Sequence, residues 1–217
     1  MSNPLDGAIL QRDKQTYAIV PRTPLGLLTP EVLEALHRTV KKFGIPIVKI
    51  TSGQRIALVG VKEEELPAIW EELGTDVGRA SELCVHYVQA CPGTTVCKLG
   101  VQDSIGLGLE LEEKFQNADT PAKFKFGVSG CPLCCAESRM RDVGLIGTKK
   151  GWKISVGGFA GMNPRIGDIL VEDLTKEEAL ETIGKFIEYY RENGKKKERT
   201  YKFLNRIGID AVKEAIL

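Results

Sequence analysis

The 217-residue sequence predicts an α+β protein made of two units, residues 1–74 and 75–217. Three observations lead to this class. In the first unit, strand-like runs and helical stripes alternate. In the second unit, short strand-like runs accompany one helical stripe, and residues 175–216 are predicted to form helices. With 42% hydrophobic and 27% charged residues, the composition is that of a folded globular protein.

The first unit is predicted to fold as a ferredoxin-like half-domain. Its first helix has Thr29 as N-cap, Pro30 at the first helical position and Gly44 directly after its end. The predicted elements are strand 17–20, helix 30–43, strands 46–50 and 55–61, and helix 63–73. This order matches a ferredoxin-like sandwich that lacks its final strand.

The second unit is predicted to be a mixed α/β domain with a helical C-terminal tail. Residues 123–129 begin with a strict Lys-Phe-Lys-Phe alternation, which is typical of a strand. The other predicted elements are strand 83–88, helix 104–115, a hairpin of 143–148 and 152–158 around the turn 149–151, and helices 175–192 and 197–216.

Charge and hydropathy argue against two classes of partner. The 30 Lys and Arg residues nearly balance the 29 Asp and Glu residues, so the net charge of +1 argues against nucleic-acid binding. No apolar run approaches the roughly 18 residues of a membrane span. The N-terminal stretch lacks the form of a secretion signal, so we expect a cytoplasmic protein with reduced cysteines.

Four of the six cysteines form two close pairs. Five residues separate Cys91 from Cys97, and three separate Cys131 from Cys135. Two such pairs on separate loops suit an iron–sulfur cluster or a zinc ion. Paired zinc ligands are mostly two to four residues apart, so the gap of five residues favours the cluster. Zinc is the second interpretation and inert thiols are the third.

The remaining two cysteines are interpreted as core residues. A single cysteine most often behaves as a small buried hydrophobe, which we apply to Cys84 and, on weaker grounds, to Cys134.

Lys123 and Lys125 are predicted to share one face of their strand, with Phe124 and Phe126 on the other. Two ammonium groups near a redox centre would attract a small oxyanion and supply protons to it. The alternative is an ordinary half-buried strand with a solvated lysine face.

Longer segments of the sequence resemble the sirohaem-dependent sulfite and nitrite reductases. The resemblance covers nearly the whole chain and includes the pattern C-x5-C followed by C-x3-C. The module occurs once, as in the small single-module sulfite reductases. The segments that carry the resemblance are TPLGLLTPE (23–31), VKITSGQRIALVG (48–60), CPGTTVCKLGVQDS (91–104), KFKFGVSGCPLCCAE (123–137) and DVGLIGTKKGWKISVGGFAGMNPR (142–165).

The resemblance implies two cofactors and a function. It implies a 4Fe–4S cluster bound by Cys91, Cys97, Cys131 and Cys135, with Cys135 also an axial ligand of the sirohaem iron. The implied reaction is the six-electron reduction of sulfite to sulfide, or of nitrite to ammonia.

It also implies roles for several cationic and polar residues. Lys123 and Lys125 would line the substrate side of the sirohaem. Contacts to the carboxylates of the macrocycle are implied for Lys49 and Thr51 and, with weaker support, for Arg55, Arg165 and the turn 157–161.

The sequence departs from the family pattern at a few positions. His86 stands where the larger enzymes carry an arginine, and Val20 replaces a second arginine, with Arg22 close by. Leu133 and Cys134 stand where the family often has asparagine. We expect Arg22 and His86 to stabilise the anion and deliver protons, with a structural role as the alternative for His86.

Partners and competing functions stay open at this point. The resemblance implies an external electron donor such as ferredoxin, and a homodimer is allowed but not required. The alternatives are a non-catalytic 4Fe–4S electron carrier, a structural zinc or nucleic-acid module, and a subunit of a larger reductase.

Overall fold

The computed structural model describes residues 7–79 and 82–217. Residues 1–6, which belong to the N-terminal stretch predicted not to be a secretion signal, and residues 80–81 lie outside the described part. The chain divides into two compact units, Met1–Glu82 and Leu83–Leu217.

The N-terminal unit is an antiparallel four-stranded sheet with two helices, as a ferredoxin-like half-domain requires. The strand order is β1-β2-β4-β3. Thr29 caps the first helix by accepting the Val32 N–H, and Gly44 ends it in the left-handed region, so both predicted boundaries are confirmed. The elements are β1 (Ile9–Leu10), β2 (Thr16–Ile19), α1 (Pro30–Phe43), β3 (Ile47–Ile50), β4 (Ile56–Lys62) and α2 (Leu66–Leu73).

The C-terminal unit is a mixed five-stranded sheet in the order β5-β6-β7-β8-β9. Strands β5, β6 and β7 run parallel, and β8 and β9 continue the sheet antiparallel. Its elements are β5 (Val85–Ala90), α3 (Ser104–Phe115), β6 (Phe124–Ser129), β7 (Val143–Thr148), β8 (Gly151–Val156), β9 (Asp168–Leu174), α4 (Lys176–Asn193), α5 (Thr200–Ile207) and α6 (Ile209–Ile216).

An aromatic core closes one face of this sheet against the helices. Phe124 and Phe126 of β6 are fully buried. The ring of Phe124 lies 5.9 Å from that of Tyr190 on α4, and Tyr190 lies 5.1 Å from Phe203 on α5. The helical tail is therefore part of the core rather than an appendage.

Three predictions about this unit need correction. The single helix expected over 197–216 is two helices, because Gly208 adopts φ 88° and ψ 150° and breaks the helical path. Strand β9 was not predicted, since its charged residues hide the alternation of a two-sided strand. Strand β5 covers Val85–Ala90 instead of 83–88, while Cys84 forms only an isolated bridge with Asp119.

Candidate functional site

The two cysteine loops leave neighbouring parallel strands at the same edge of the sheet. Cys91 directly follows β5, and Gly130 directly follows β6 and precedes Cys131. The carboxyl ends of adjacent parallel strands meet in space, which is the usual location of functional loops in such sheets. Because β5 pairs with β6, the fold brings together two cysteine segments that lie about 40 residues apart in sequence.

Hydrogen bonds join the two loops directly. The Gly130 N–H donates to the Sγ of Cys91 over 3.1 Å. The N–H groups of Val101 and Gln102 donate to the carbonyl oxygen of Gly130 over 2.8 and 3.0 Å. Backbone N–H groups that bond to a ligand sulfur stabilise its negative charge, which is one way proteins tune iron–sulfur centres.

Close backbone approach explains two glycines at this junction. A Cβ atom on Gly130 would lie 2.7 Å from both the carbonyl oxygen of Gln102 and the Cα of Gly93. Gly93 itself has φ 55°, and a Cβ there would lie 2.3 Å from the Oγ of Ser104. A side chain at Gly130 would push the two loops apart, whereas one at Gly93 would displace Ser104 and Gln102 within the first loop.

Two tight turns shape the second loop. Cys134 and Glu137 both adopt φ 54°, in the left-handed region. The Cys134 N–H donates to the Cys131 carbonyl over 3.2 Å, and the Glu137 N–H donates to the Cys134 carbonyl over 2.8 Å. The buried Ser129 hydroxyl accepts the Ala136 N–H over 3.1 Å and anchors the loop to the end of β6.

The cysteines differ in exposure. Cys131 is buried, Cys91 is half-buried, and Cys97 and Cys135 are exposed. All of the cysteines are free thiols, and Cys84 is fully buried, as expected of a core residue.

The donor set of the two loops consists of cysteine thiols. Within residues 7–79 and 82–217, no three His, Cys, Asp or Glu side chains are arranged to hold one metal ion. Four thiols on two hydrogen-bonded loops, two of them accessible, are the ligand chemistry of a 4Fe–4S cluster.

The lysine strand has the predicted alternation. Phe124 and Phe126 face the helices, whereas Lys123 is exposed and Lys125 is half-buried. Both lysines lie at the amino end of β6, so Lys125 stands about 13 Å along the strand from the cysteine loop at its other end. Burial lowers the pKa of the Lys125 ammonium, and the nearby charge of Arg199 lowers it further.

A buried polar group on the lysine face was missed by sequence reasoning. Tyr87 and Gln89 of β5 are 5% exposed each, and Arg141 is 6% exposed. The Arg141 guanidinium donates to both Gln89 and Glu137. Because Gln89 and Arg141 are 52 positions apart, no local pattern links them.

Asp142 is a second buried group that the sequence did not reveal. Its carboxylate accepts from the Lys125 N–H over 3.0 Å, from Arg199 over 2.8 Å and from the Thr200 hydroxyl. It thereby fastens the start of α5 to the amino ends of β6 and β7.

In the N-terminal unit, three candidate residues lie on or beside the β3–β4 hairpin. Lys49 is exposed on β3, and the Thr51 hydroxyl accepts the Arg55 N–H over 3.2 Å. Thr51 also lines a cavity of about 300 Å³, together with apolar side chains and Gln54. Among the described residues, the buried Oε1 of Gln54 has no hydrogen-bond partner.

The other arginine candidates form polar contacts with neighbouring residues, and the histidine candidate is buried. Arg22 pairs with Asp76 over 3.2 Å. His86 is 4% exposed and lies at the irregularity where β5 shifts its register against β6. In the C-terminal unit, Arg165 donates to Gly157, Asp168 and Asn205.

The positions that depart from the family pattern differ in exposure. Val20 is buried at 6% exposure, whereas Leu133 is 66% exposed on the second cysteine loop.

Joined loops that together offer four cysteine thiols are typical of iron–sulfur proteins. Comparison with family models narrows this class. Residues 9–75 match the nitrite/sulfite reductase ferredoxin-like half domain, and residues 81–217 match the nitrite and sulphite reductase 4Fe-4S domain. The chain belongs to the nitrite and sulfite reductase family, which uses sirohaem and a 4Fe–4S cluster, and is an oxidoreductase, as the resemblance implied.

Two curated relatives differ in how much of them the chain spans. It is 61% identical over 217 residues to the assimilatory-type sulfite reductase of Nitratidesulfovibrio vulgaris, with 100% of both chains covered. It is 43% identical over 209 residues to the nitrite reductase [NAD(P)H] of Bacillus subtilis, covering 96% of this chain but only 26% of that enzyme. The chain thus spans about a quarter of the nitrite reductase.

Among solved structures, the NirA protein of Mycobacterium tuberculosis has the same fold. The match has a TM-score of 0.82 at 21% identity and covers 93% of this chain and 39% of the other. It confirms the predicted fold class.

In the described part of the chain, no helix combines the length and the apolar character that a membrane span requires.

Proposed function

We propose that this protein reduces sulfite to sulfide, a six-electron reaction, with a sirohaem and a 4Fe–4S cluster as its redox cofactors. The observation that carries the choice of sulfite is the 61% identity, over the full length of both chains, to an assimilatory-type sulfite reductase. Nitrite is the second candidate substrate, because the chain is 43% identical to part of a nitrite reductase.

The proposed cluster ligands are Cys91, Cys97, Cys131 and Cys135. The Gly130 N–H bond to Cys91 supports this set, because it places the two loops that carry the ligands in contact. Cys135 is proposed as the ligand shared with the sirohaem iron, and its exposure leaves its sulfur accessible. When bound, the two cofactors store electrons that arrive singly and supply them to the substrate.

Lys123 and Lys125 are proposed to bind the oxyanion and supply protons as its oxygens leave as water. Two ammonium groups on one strand face attract an anion, and a lysine with a lowered pKa releases its proton more readily. Arg22 and His86 are proposed to assist. The burial of His86 agrees equally with a structural role.

Sirohaem carries many carboxylates and needs cationic and polar partners. Lys49, Thr51 and Arg55 are proposed to provide them in the N-terminal unit, and the exposure of Lys49 supports its share. Arg165 is proposed to act indirectly, since its bonds to Gly157 and Asn205 hold the turn 157–161 in place.

The electron donor is proposed to be an external protein such as ferredoxin. The sequence contains no G-x-G-x-x-G dinucleotide motif that would supply electrons from a nicotinamide within the chain. A homodimer remains a proposal, and sizing of the native protein tests it.

The decisive experiment compares two adjacent cysteines in anaerobically purified protein. We expect bound iron, acid-labile sulfide and an extractable tetrapyrrole in the parent. Cys135→Ser should abolish sulfite reduction by a dye donor, whereas Cys134→Ser, a matched change in the same loop, should retain both cofactors and activity.

Three outcomes would contradict the proposal in different ways. Activity retained in Cys135→Ser would remove the shared ligand. Iron and sulfide without a tetrapyrrole would favour a cluster-only electron carrier. A higher kcat/KM for nitrite than for sulfite would reverse the order of the two substrates.

A further inference from the structure

Arg141 is clamped between the segments that lead into and out of the cysteine loops. A single nitrogen, Nη2, donates to the Oε1 of Gln89 and to the Oε2 of Glu137. Gln89 lies two residues before Cys91, and Glu137 lies two residues after Cys135. The guanidinium is therefore fixed in position, and with 6% exposure it is largely shielded from water.

The same guanidinium shares an aromatic ring with Lys125. The Cζ of Arg141 lies 6.0 Å from the ring centroid of Tyr87, and the Nζ of Lys125 lies 5.5 Å from it. Both distances are within the range of cation–π attraction. Tyr87 thus holds two positive charges near one another on the lysine face of the sheet.

Cations outnumber anions around Lys125. The charged groups that act on it are the cations Lys123, Arg141 and Arg199 and the carboxylate of Asp142. Asp142 is itself engaged by Arg199 over 2.8 Å, so it offsets the positive charge only in part. Like charges close together favour the neutral form of an amine, and the shielded setting strengthens this effect.

We propose that Arg141 is a positioning residue that keeps a fixed positive charge beside Lys125 and so makes the Lys125 ammonium ready to release its proton. This inference rests on the proposed function, in which Lys125 supplies protons to the oxyanion. Arg141 acts through Lys125 and does not itself need to reach the substrate. The clamp matters because a free guanidinium would move away from a neighbouring cation.

Three substitutions separate charge from structure. Arg141→Gln removes the charge, so Lys125 should hold its proton more firmly. Arg141→Lys keeps a charge, and one ammonium nitrogen suffices for both bonds of the clamp. Glu137→Gln removes the anion that partly neutralises Arg141, which should act on Lys125 in the opposite direction to Arg141→Gln.

The measurement is trace acetylation of the anaerobically purified protein without substrate, followed by peptide mass spectrometry. Acetic anhydride reacts only with the neutral amine, so the rate at Lys125 reports its protonation. Lys153 of β8, which pairs with Glu172 of β9, serves as the internal reference. We expect a rate about two- to fivefold lower in Arg141→Gln, a near-parental rate in Arg141→Lys, and a higher rate in Glu137→Gln.

The alkaline limb of the pH–rate profile gives a second readout. It should move to higher pH in Arg141→Gln and return in Arg141→Lys. An unchanged Lys125 rate in Arg141→Gln, or equal slowing in Arg141→Lys, would overturn the inference. If Arg141→Gln does not fold, a Glu137→Gln rate no higher than the parent would overturn it instead.

The labelling result is independent of the proposed function. A protein that lacks tetrapyrrole or sulfite reduction would fail the function proposal, yet the labelling rates would still report on Arg141 and Lys125. A fully loaded, active enzyme with unchanged labelling would reject the role of Arg141 alone.

Discussion

The two faces of the C-terminal sheet differ although they are formed by the same strands. On the helix face, Phe124 and Phe126 are fully buried in an aromatic core that includes Phe186 and Tyr190. On the other face, Lys125 shares its surroundings with cations and one buried carboxylate. The two-residue period of a strand therefore separates the residues that stabilise the fold from those proposed to act on an anion.

The largest expected effect lies on the helix face. Phe126→Ala should lower the free energy of unfolding by about 3–5 kcal/mol, because it leaves a cavity between Phe124 and Phe115. Chemical denaturation of the loaded protein measures this loss. Lys123→Ala, at an exposed position directly before the same strand, should change the stability by no more than about 0.5 kcal/mol.

Comparable losses of stability in these two variants would show that the faces are not divided as described. In that case the lysine face would also contribute to the core.

The next effect concerns catalysis on the lysine face. Lys125→Ala should lower kcat for sulfite about 100-fold and raise KM, since it removes both a proton donor and a positive charge. Lys125→Arg should keep KM near the parental value but still lose kcat, because a guanidinium does not release its proton in this pH range. Steady-state kinetics with a dye donor separate the two contributions.

The pH profile sharpens this prediction. The pKa of Lys125 is lowered, so its proton is lost as the pH rises, at a lower pH than for an ordinary lysine. The alkaline limb should accordingly lie below the usual lysine range and be absent from the Lys125→Arg variant. Full kcat in Lys125→Arg would exclude Lys125 as the proton donor.

The smallest effect concerns Glu198, in the segment between α4 and α5. Its carbonyl accepts the hydroxyl of Tyr190 from the aromatic core, and its neighbour Arg199 holds Asp142. The hydrogen bonds donated by Arg206 lower the pKa of Glu198 to about 2. This carboxylate therefore stabilises the fold above its ordinary pKa of 4.5, and the contribution is lost as the pH falls toward 2.

Glu198→Gln should thus destabilise the protein at pH 7 by roughly 1 kcal/mol or less, since solvent screens this partly exposed pair. The difference from the parent should disappear near pH 2. Thermal unfolding at several pH values checks this, and a difference that persists at low pH would assign the effect to packing instead of charge.

Local signals predicted much of the fold. Helix α3 was predicted with both boundaries, because Leu107, Leu111 and Phe115 recur on one helical face. Strand β9 and the break at Gly208 escaped prediction. The first is an edge strand with mixed polarity, and the second depends on one backbone conformation inside an otherwise helical pattern.

Local sequence signals also predicted part of the candidate site. Two of its features are visible in the sequence: the alternation around Lys125 and the spacing of Cys91, Cys97, Cys131 and Cys135. The partners of Arg141 and the buried position of Asp142 are not, because their contacts come from segments up to 58 residues away.

The sequence by itself determined which residue types are available and in what local order: two cysteine pairs, a strand with lysines on one side and phenylalanines on the other, and capped helices. Only the tertiary structure decided that Gly130 bonds to the sulfur of Cys91, and that Lys125 is shielded while Lys123 is exposed. The physical reason is that spacing and periodicity are properties of neighbouring residues. Burial and electrostatic environment, in contrast, are sums over residues that only folding brings together.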